Sequence, residues 1–410
     1  MKRSSRPLES VVLGLLFGLS GCKRVDHPTN INAVDPAHDY PAGFGGVAVE
    51  AIEDDGTQGD EHIDPRHVET LADVEGAFPL LAKHNLTVAL AIQVHKLALP
   101  EAMDAVFTTI ERAHRHGIEV RPWLVLSFAD GYFPSALNAD AFAVHARDLL
   151  RQWQARGLKP TTLLVDMEPS RELQEALSSM NIAEALPRDH IDQERFAQAT
   201  RTYAELVDEL HGQGWKAQLS AIATVIADYR DDDDDLRQYF GVIVEGVSWD
   251  QLDFQVYRSA FAALAPGLGP HFVYSYVQEA LARFPEQDLG FTLGVTHPGP
   301  ILQDGKTLEN GAELRKDVEA ALAAGADPSR LSVYNLKGIL LGPPRCEKVL
   351  PCASEDYVYG PDDPASWLEP PADHIGIPEV SAATGILSAM FDGMDRALDL
   401  APATEHDAGE

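Results

Sequence analysis

From about Phe44 onward, short apolar runs rich in β-branched residues alternate with amphipathic stretches of helical period, and Gly or Asn separates each unit from the next. Eight runs follow this pattern: 46–53 (GVAVEAIE), 86–93 (LTVALAIQ), 118–127 (IEVRPWLVLS), 162–169 (TLLVDMEP), 216–224 (KAQLSAIAT), 252–259 (LDFQVYRS), 289–297 (LGFTLGVTH) and 331–340 (LSVYNLKGIL). The helical stretches between them include 101–117, 139–157, 192–214 and 311–326, each ending in the Gly or Gly-Ala expected past a helix C-terminus. Strands alternating with helices of this length form parallel βαβ units. Eight units over the span 44–345 predict a closed (β/α)8 TIM barrel. A doubly wound open sheet would carry a Gly-rich phosphate turn after its first strand, whereas here Phe44-Gly45-Gly46 precedes it.

Outside the repeat, residues 1–21 combine a basic start (Lys2, Arg3, Arg6), an apolar run from Val11 to Leu19 and small residues before Cys22. That run is too short for a permanent span of the bilayer, so it predicts an export signal. Leu19-Ser20-Gly21-Cys22 resembles the lipobox of bacterial lipoproteins. The resemblance makes Cys22 the acylated first residue of the mature chain, with 22–43 as a tether; the alternative is an ordinary secreted chain with a chance cysteine. Lys23 is not the Asp that retains lipoproteins in the inner membrane, so the outer membrane of the cell envelope, facing the periplasm or surface, is the expected location.

Charge narrows the partners. With 64 acidic against 32 basic residues the chain carries a formal −32, which repels nucleic acid and anionic lipid head groups. Membrane attachment must then come from the anchor at Cys22. Residues 346–410 form a tail with an amphipathic stretch near 384–400, expected to pack on the barrel. Cys346 and Cys352 lie close together in an exported chain, which predicts a local disulfide.

In such barrels the chemistry sits at the carboxyl ends of the strands. The fourth run ends Val165-Asp166-Met167-Glu168, and period-2 alternation puts Asp166 and Glu168 on one face while Val165 and Met167 face the helices. Two acids on one inner face are electrostatically costly, so they mark either a site or a pair neutralised by Arg or Lys inside the barrel. Lys337 is a candidate for that neutralising role.

The fourth run resembles the Asp-x-Glu strand end of the chitinase-like glycoside hydrolases of family eighteen and the lysozyme barrels of family twenty-five. The first of these carries DGxDxDxE, and Asp166 and Glu168 match its last two acids, with Leu164 in place of the first inner Asp. The sixth run, Phe254-Gln255-Val256-Tyr257, is similar to that family's Met-x-Tyr strand end, with Gln for Met. The resemblance implies a glycan substrate, Glu168 as general acid, Asp166 as its orienting partner, and Tyr257 holding an acetamido carbonyl. Residue chemistry agrees, because glycosidic cleavage needs a protonated carboxyl beside the leaving oxygen, and a Glu next to a second acid keeps its proton to higher pH. If two carboxylates act instead of the substrate's N-acetyl group, Glu50 and Glu53 on the first run are the expected partners, ahead of Asp253, which starts its strand.

Other run ends offer Gln93, Trp123, Ser127, Gln255, Thr296, His297, Tyr334 and Asn335. Rings and amides are what a sugar cleft uses, though core packing accounts equally for Trp123 and Tyr334. His297 precedes Pro298-Gly299-Pro300 and is expected to face solvent. His114 and His116 sit at a helix C-terminus, where imidazolium complements the dipole. Asp231 to Asp235 lack the alternation of a calcium loop and are expected to be a solvated charge run. Neither a cofactor nor a metal is implied. The competing class is a non-catalytic barrel that binds a saccharide or a protein partner, with Leu164 recording a loss of catalysis.

Overall fold

The computed structural model describes residues 45–49, 70–170, 173–174, 192–230, 233–262, 265, 267–297, 307–341, 344–346, 357–359, 376–379 and 382–399. Cys22, the signal segment, the tether, Glu50, Glu53 and Cys352 lie outside them.

Eight parallel strands close on themselves: β1 (Gly46–Val49), β2 (Thr87–Gln93), β3 (Val120–Val125), β4 (Thr162–Met167), β5 (Lys216–Ile222), β6 (Gln251–Val256), β7 (Leu289–Gly294) and β8 (Leu331–Tyr334). Each strand falls within or beside one of the eight runs. Closure is made by β8 on β1, in the register Gly46↔Ser332, Val47↔Val333 and Ala48↔Tyr334. The chain is a (β/α)8 TIM barrel.

The outer layer contains α1 (Leu71–Lys83), α2 (Pro100–Arg115), α3 (Ala139–Ala155), α4 (Gln193–Gly212), α5 (Asp235–Phe240), α6 (His271–Arg283), α7 (Gly311–Ala323) and α8 (Leu336–Leu341). Local sequence sets their starts. Thr70 and Asp73 cap α1 reciprocally, while Asp192 and Asn310 accept the backbone N–H groups of Arg195 and Glu313 at α4 and α7. Pro100 stands in the first turn of α2, where its missing N–H costs nothing.

The strands are buried on both faces, but the two faces differ in chemistry. Outward residues such as Leu163, Val165, Met167, Leu219, Phe254 and Phe291 join one large apolar cluster with the helices. A smaller cluster inside the barrel holds Ala91, Trp123, Val125, Leu164 and Tyr334, together with Tyr132, Phe133 and Val295. The rest of the interior is polar, where barrels of this kind usually place branched aliphatics. Arg121, Gln218, Asp253 and Thr292 occupy it.

A final helix, α9 (Ala382–Asp399), lies on the flank of the barrel. Arg230, after β5, joins it by donating to Asp392 at 2.5 Å and Ser388 at 2.8 Å, and it also forms a two-point pair with Glu279 of α6. Phe391 meets Phe261 edge-on with ring centres 6.0 Å apart. Pro344–Cys346 and Tyr357–Tyr359 pair as an antiparallel ribbon, β9 and β10, with Cys346 opposite Tyr357. Among the described residues no helix is long and apolar enough to cross a membrane.

Candidate active site at the barrel mouth

Alternation along β4 sends Leu164 and Asp166 into the barrel and Leu163, Val165 and Met167 into the helix layer. Asp166 is buried, and its Oδ1 accepts a hydrogen bond of 2.5 Å from Gln255 Nε2 of β6. The same amide also donates to Ser220 Oγ of β5 at 3.1 Å. Gln255 therefore stitches β4, β5 and β6 together at one level and fixes the direction of Asp166. Glu168 follows one residue after β4 ends; it is half-buried, and its Oε2 accepts from Gln174 Nε2 at 3.0 Å. Asp166 lines the central cavity, and Glu168 is not among the residues that do.

Three aromatic rings surround that cavity. Tyr257, directly after β6, stands 5.7 Å from the Tyr334 ring, and Tyr334 meets Trp123 edge-on at 6.4 Å. Both Trp123 Nε1 and Gln93 Oε1 are buried without a hydrogen-bond partner. A buried N–H left bare in this way costs free energy until an acceptor reaches it. Trp123 and Tyr334 thus both pack with the inner cluster and border the cavity. Asn335 is occupied within the protein: its Nδ2 donates to the His297 carbonyl at 3.4 Å and its Oδ1 accepts from Gly338 N at 3.3 Å. Ser127 lies outside the cavity and bonds Asp130 at 2.6 Å.

Beneath the mouth lies a second polar level. Arg121 of β3 donates to Gln218 Oε1 at 2.9 Å, Gln218 Nε2 donates to Asp253 Oδ2 at 3.1 Å, and Thr292 Oγ1 donates to the same oxygen at 2.8 Å. Gly290 lets Gln251 and Asp253 close over the β7 backbone, since a Cβ there would stand 2.5 Å from Gln251 Nε2. Burial pushes Asp253 up to about 7, against the pull of Thr292, the Arg121 charge and Gln218. Asp253 stands third in β6 rather than at its start, because the strand begins at Gln251, one residue before the run. The polar level is visible in sequence only as Arg121, Gln218, Ser220, Asp253, Thr292 and Ser332 at alternate positions of otherwise apolar runs.

Two expectations are corrected. His297 is fully buried rather than solvent-facing, because the chain after β7 folds back onto the end of β8. There Thr296 N donates to the Tyr334 carbonyl at 2.8 Å, and Gly338 leaves room for a backbone that would otherwise meet its Cβ at 2.4 Å. The acidic run after β5 is not simply a solvated face. Carboxylate oxygens of Asp228, Asp233 and Asp235 lie within 4.8 Å of one another, and Asp228 is fully buried on the Arg237 guanidinium. Asp228 also accepts from the N–H groups of Leu236 at 3.0 Å and Arg237 at 3.3 Å, so it anchors the start of α5. At the end of α2, burial holds His114 below the ordinary imidazole range, which favours its neutral form at the helix C-terminus. Lys337 is buried in α8, beside the end of β8.

No family model matches this sequence, and no curated protein matches it. Solved structures share the barrel outline. A family 1 β-glucosidase from Thermotoga maritima is 14% identical, over 75% of this chain and 90% of that one, with a TM-score of 0.45. The glycoside hydrolase domain of PgaB from Bordetella bronchiseptica is 13% identical, over 71% and 94%, with a TM-score of 0.39. The YdjI aldolase from Escherichia coli is also 13% identical, over 65% and 72%, with a TM-score of 0.34.

Proposed function

We propose that the barrel mouth takes a glycan and cleaves a glycosidic bond, with Glu168 as general acid, Asp166 as its inner partner and Tyr257 as a substrate-holding group. The observation that best supports this reading is the hydrogen bond from Gln255 to Asp166, which joins the two strand ends singled out in the sequence. Around it, Trp123, Tyr257 and Tyr334 offer ring faces and polar edges suited to a sugar. In this reading Glu168, whose Oε2 accepts from Gln174 at the strand end, protonates the leaving oxygen. The test is incubation of the soluble part of the protein with chitin oligosaccharides, peptidoglycan and neutral glycans, following both new reducing ends and binding. Release of reducing ends from one class supports the reading; neither cleavage nor binding with any class overturns it.

A second reading has its own support. The cavity inside the mouth measures about 30 Å³, which is room for about two waters and not for a sugar ring. A barrel that binds a saccharide or a protein partner at its rim, without drawing a sugar ring inside and without cleaving it, is consistent with that volume, and binding without turnover in the same screen selects it.

The chain is further proposed to be a lipoprotein of the bacterial cell envelope, attached through Cys22. Cys22→Ser removes the thiol that carries the lipid, and the expected result is loss of the protein from the membrane fraction into the soluble one. Persistence of the variant in washed membranes contradicts the anchor.

A further inference from the structure

The polar level inside the barrel has a role separate from the glycan reading. Asp253 Oδ2 takes both available hydrogen bonds, from Gln218 and Thr292, while Oδ1 is buried and has no partner. The residue is only 3% exposed. A carboxylate with one bare oxygen at this depth is strongly disfavoured unless it gains a proton, a cation or a solvent partner. Arg121 of β3 already brings positive charge to this level, which argues against a cation. The cavity bordered by Asp253 is also bordered by Asp166, and Thr87, Ser220 and Thr292 give it hydroxyls. Its volume of about 30 Å³ and its polar walls meet the two conditions for ordered internal water, room and several hydrogen-bonding partners.

We propose that this cavity is an internal water site in which Asp253 keeps a proton on Oδ1 and donates a hydrogen bond to a cavity water, and that the waters donate hydrogen bonds in turn to Asp166. The charged groups around Asp253 are Arg121 from β3, which pairs with Glu119 just before that strand, and Asp166 from β4, with the Tyr257 and Tyr334 phenols at the mouth; the other strands line the cavity with glycine, alanine, aliphatic, hydroxyl and amide groups. With Asp253 neutral, the cavity lining holds one further acid, Asp166, and one guanidinium, Arg121, which is itself paired with Glu119 at 3.2 Å. Burial pushing Asp253 to about 7 agrees with this arrangement. Its folded pKa lies above the ordinary 3.8, so the associated stability is complete below that value and is lost as pH rises through about 7.

Asp253→Asn mimics the proposed state, because its carbonyl oxygen can accept from Gln218 and Thr292 while its amide nitrogen replaces the protonated Oδ1. In the full chain, the variant is expected to match wild type in thermal unfolding below about pH 4, and its advantage should grow as pH rises, reaching several degrees near about pH 8. Infrared difference spectra of wild type across that range should contain a carboxylic C=O band that the variant lacks. A high-resolution crystal structure of wild type, which does not depend on the variant folding, should place water within hydrogen-bonding distance of Asp253 Oδ1. A dry cavity overturns the proposal. So does a pH-independent difference in unfolding between the two proteins, or a carboxylic band left unchanged by the substitution.

Discussion

Replacing Glu168 by Gln is expected to lower glycan turnover by at least about 10²-fold, the usual contribution of a general acid, while the substrate still binds. The substitution is nearly isosteric. Gln174 Nε2 donates to Glu168 Oε2 at 3.0 Å, and the carbonyl oxygen of a Gln can accept the same bond, so the side chain keeps its position at the end of β4. What disappears is the transferable proton, and with it the step in which the leaving oxygen is protonated as the glycosidic bond breaks. Initial rates over a range of substrate concentrations separate the outcomes: a fall in kcat with little change in KM assigns the acid to Glu168. Near-full activity in the variant means that another group supplies the proton. If no glycan is cleaved by wild type but one is bound, and Glu168→Gln weakens that binding, the mouth is a recognition site.

The second large effect concerns the scaffold behind Tyr257. Arg258, the next residue, is buried, and its guanidinium reaches Asp317 Oδ1 at 2.6 Å and Glu313 Oε2 at 2.9 Å on α7. Asp317 is fully buried, and burial pushes it up to about 7 against the pull of Arg258. Arg258→Ala leaves that carboxyl without its cation and is expected to cost about 3–5 kcal/mol, the range seen when one partner of a buried pair is removed. The sign with pH is fixed. Neutral Asp317 is the form tolerated without a partner, so the deficit should be largest above pH 7 and should shrink as acid protonates the carboxyl. Urea unfolding on both sides of neutrality measures this directly. Replacing both residues by apolar ones of similar size, Arg258→Met with Asp317→Leu, should restore much of the loss, since the cost lies in stranding a charge rather than in losing an attraction. A single variant within about 1 kcal/mol of wild type above neutrality shows that the pair is not what fixes the turn after β6.

The barrel itself was legible along the chain, because two periodicities, two for strands and 3.6 for helices, are local properties that apolar burial imposes on every unit. The facing of β4 followed from the same rule: Val165 and Met167 pack with the helices and Asp166 turns inward. Local chemistry sets the helix starts at Asp192 and Asn310, whose side chains cap α4 and α7. Periodicity says nothing, however, of which inward residues meet across the barrel. That Gln255 of β6 holds Asp166 of β4, and that Arg121, Gln218 and Asp253 form a chain below them, depends on strand register and on closure between segments up to 132 positions apart. Burial of ionisable groups was equally hidden. His297 and Asp228 look exposed beside Pro-Gly and poly-Asp neighbours, yet both are enclosed once the loops fold onto β8 and α5. Sequence alone determined the number of βα units and the direction of the β4 face, because both are set by nearest neighbours. Only the tertiary structure decided which acids share a cavity and which cations they meet, because desolvation and Coulomb interaction depend on distance in space.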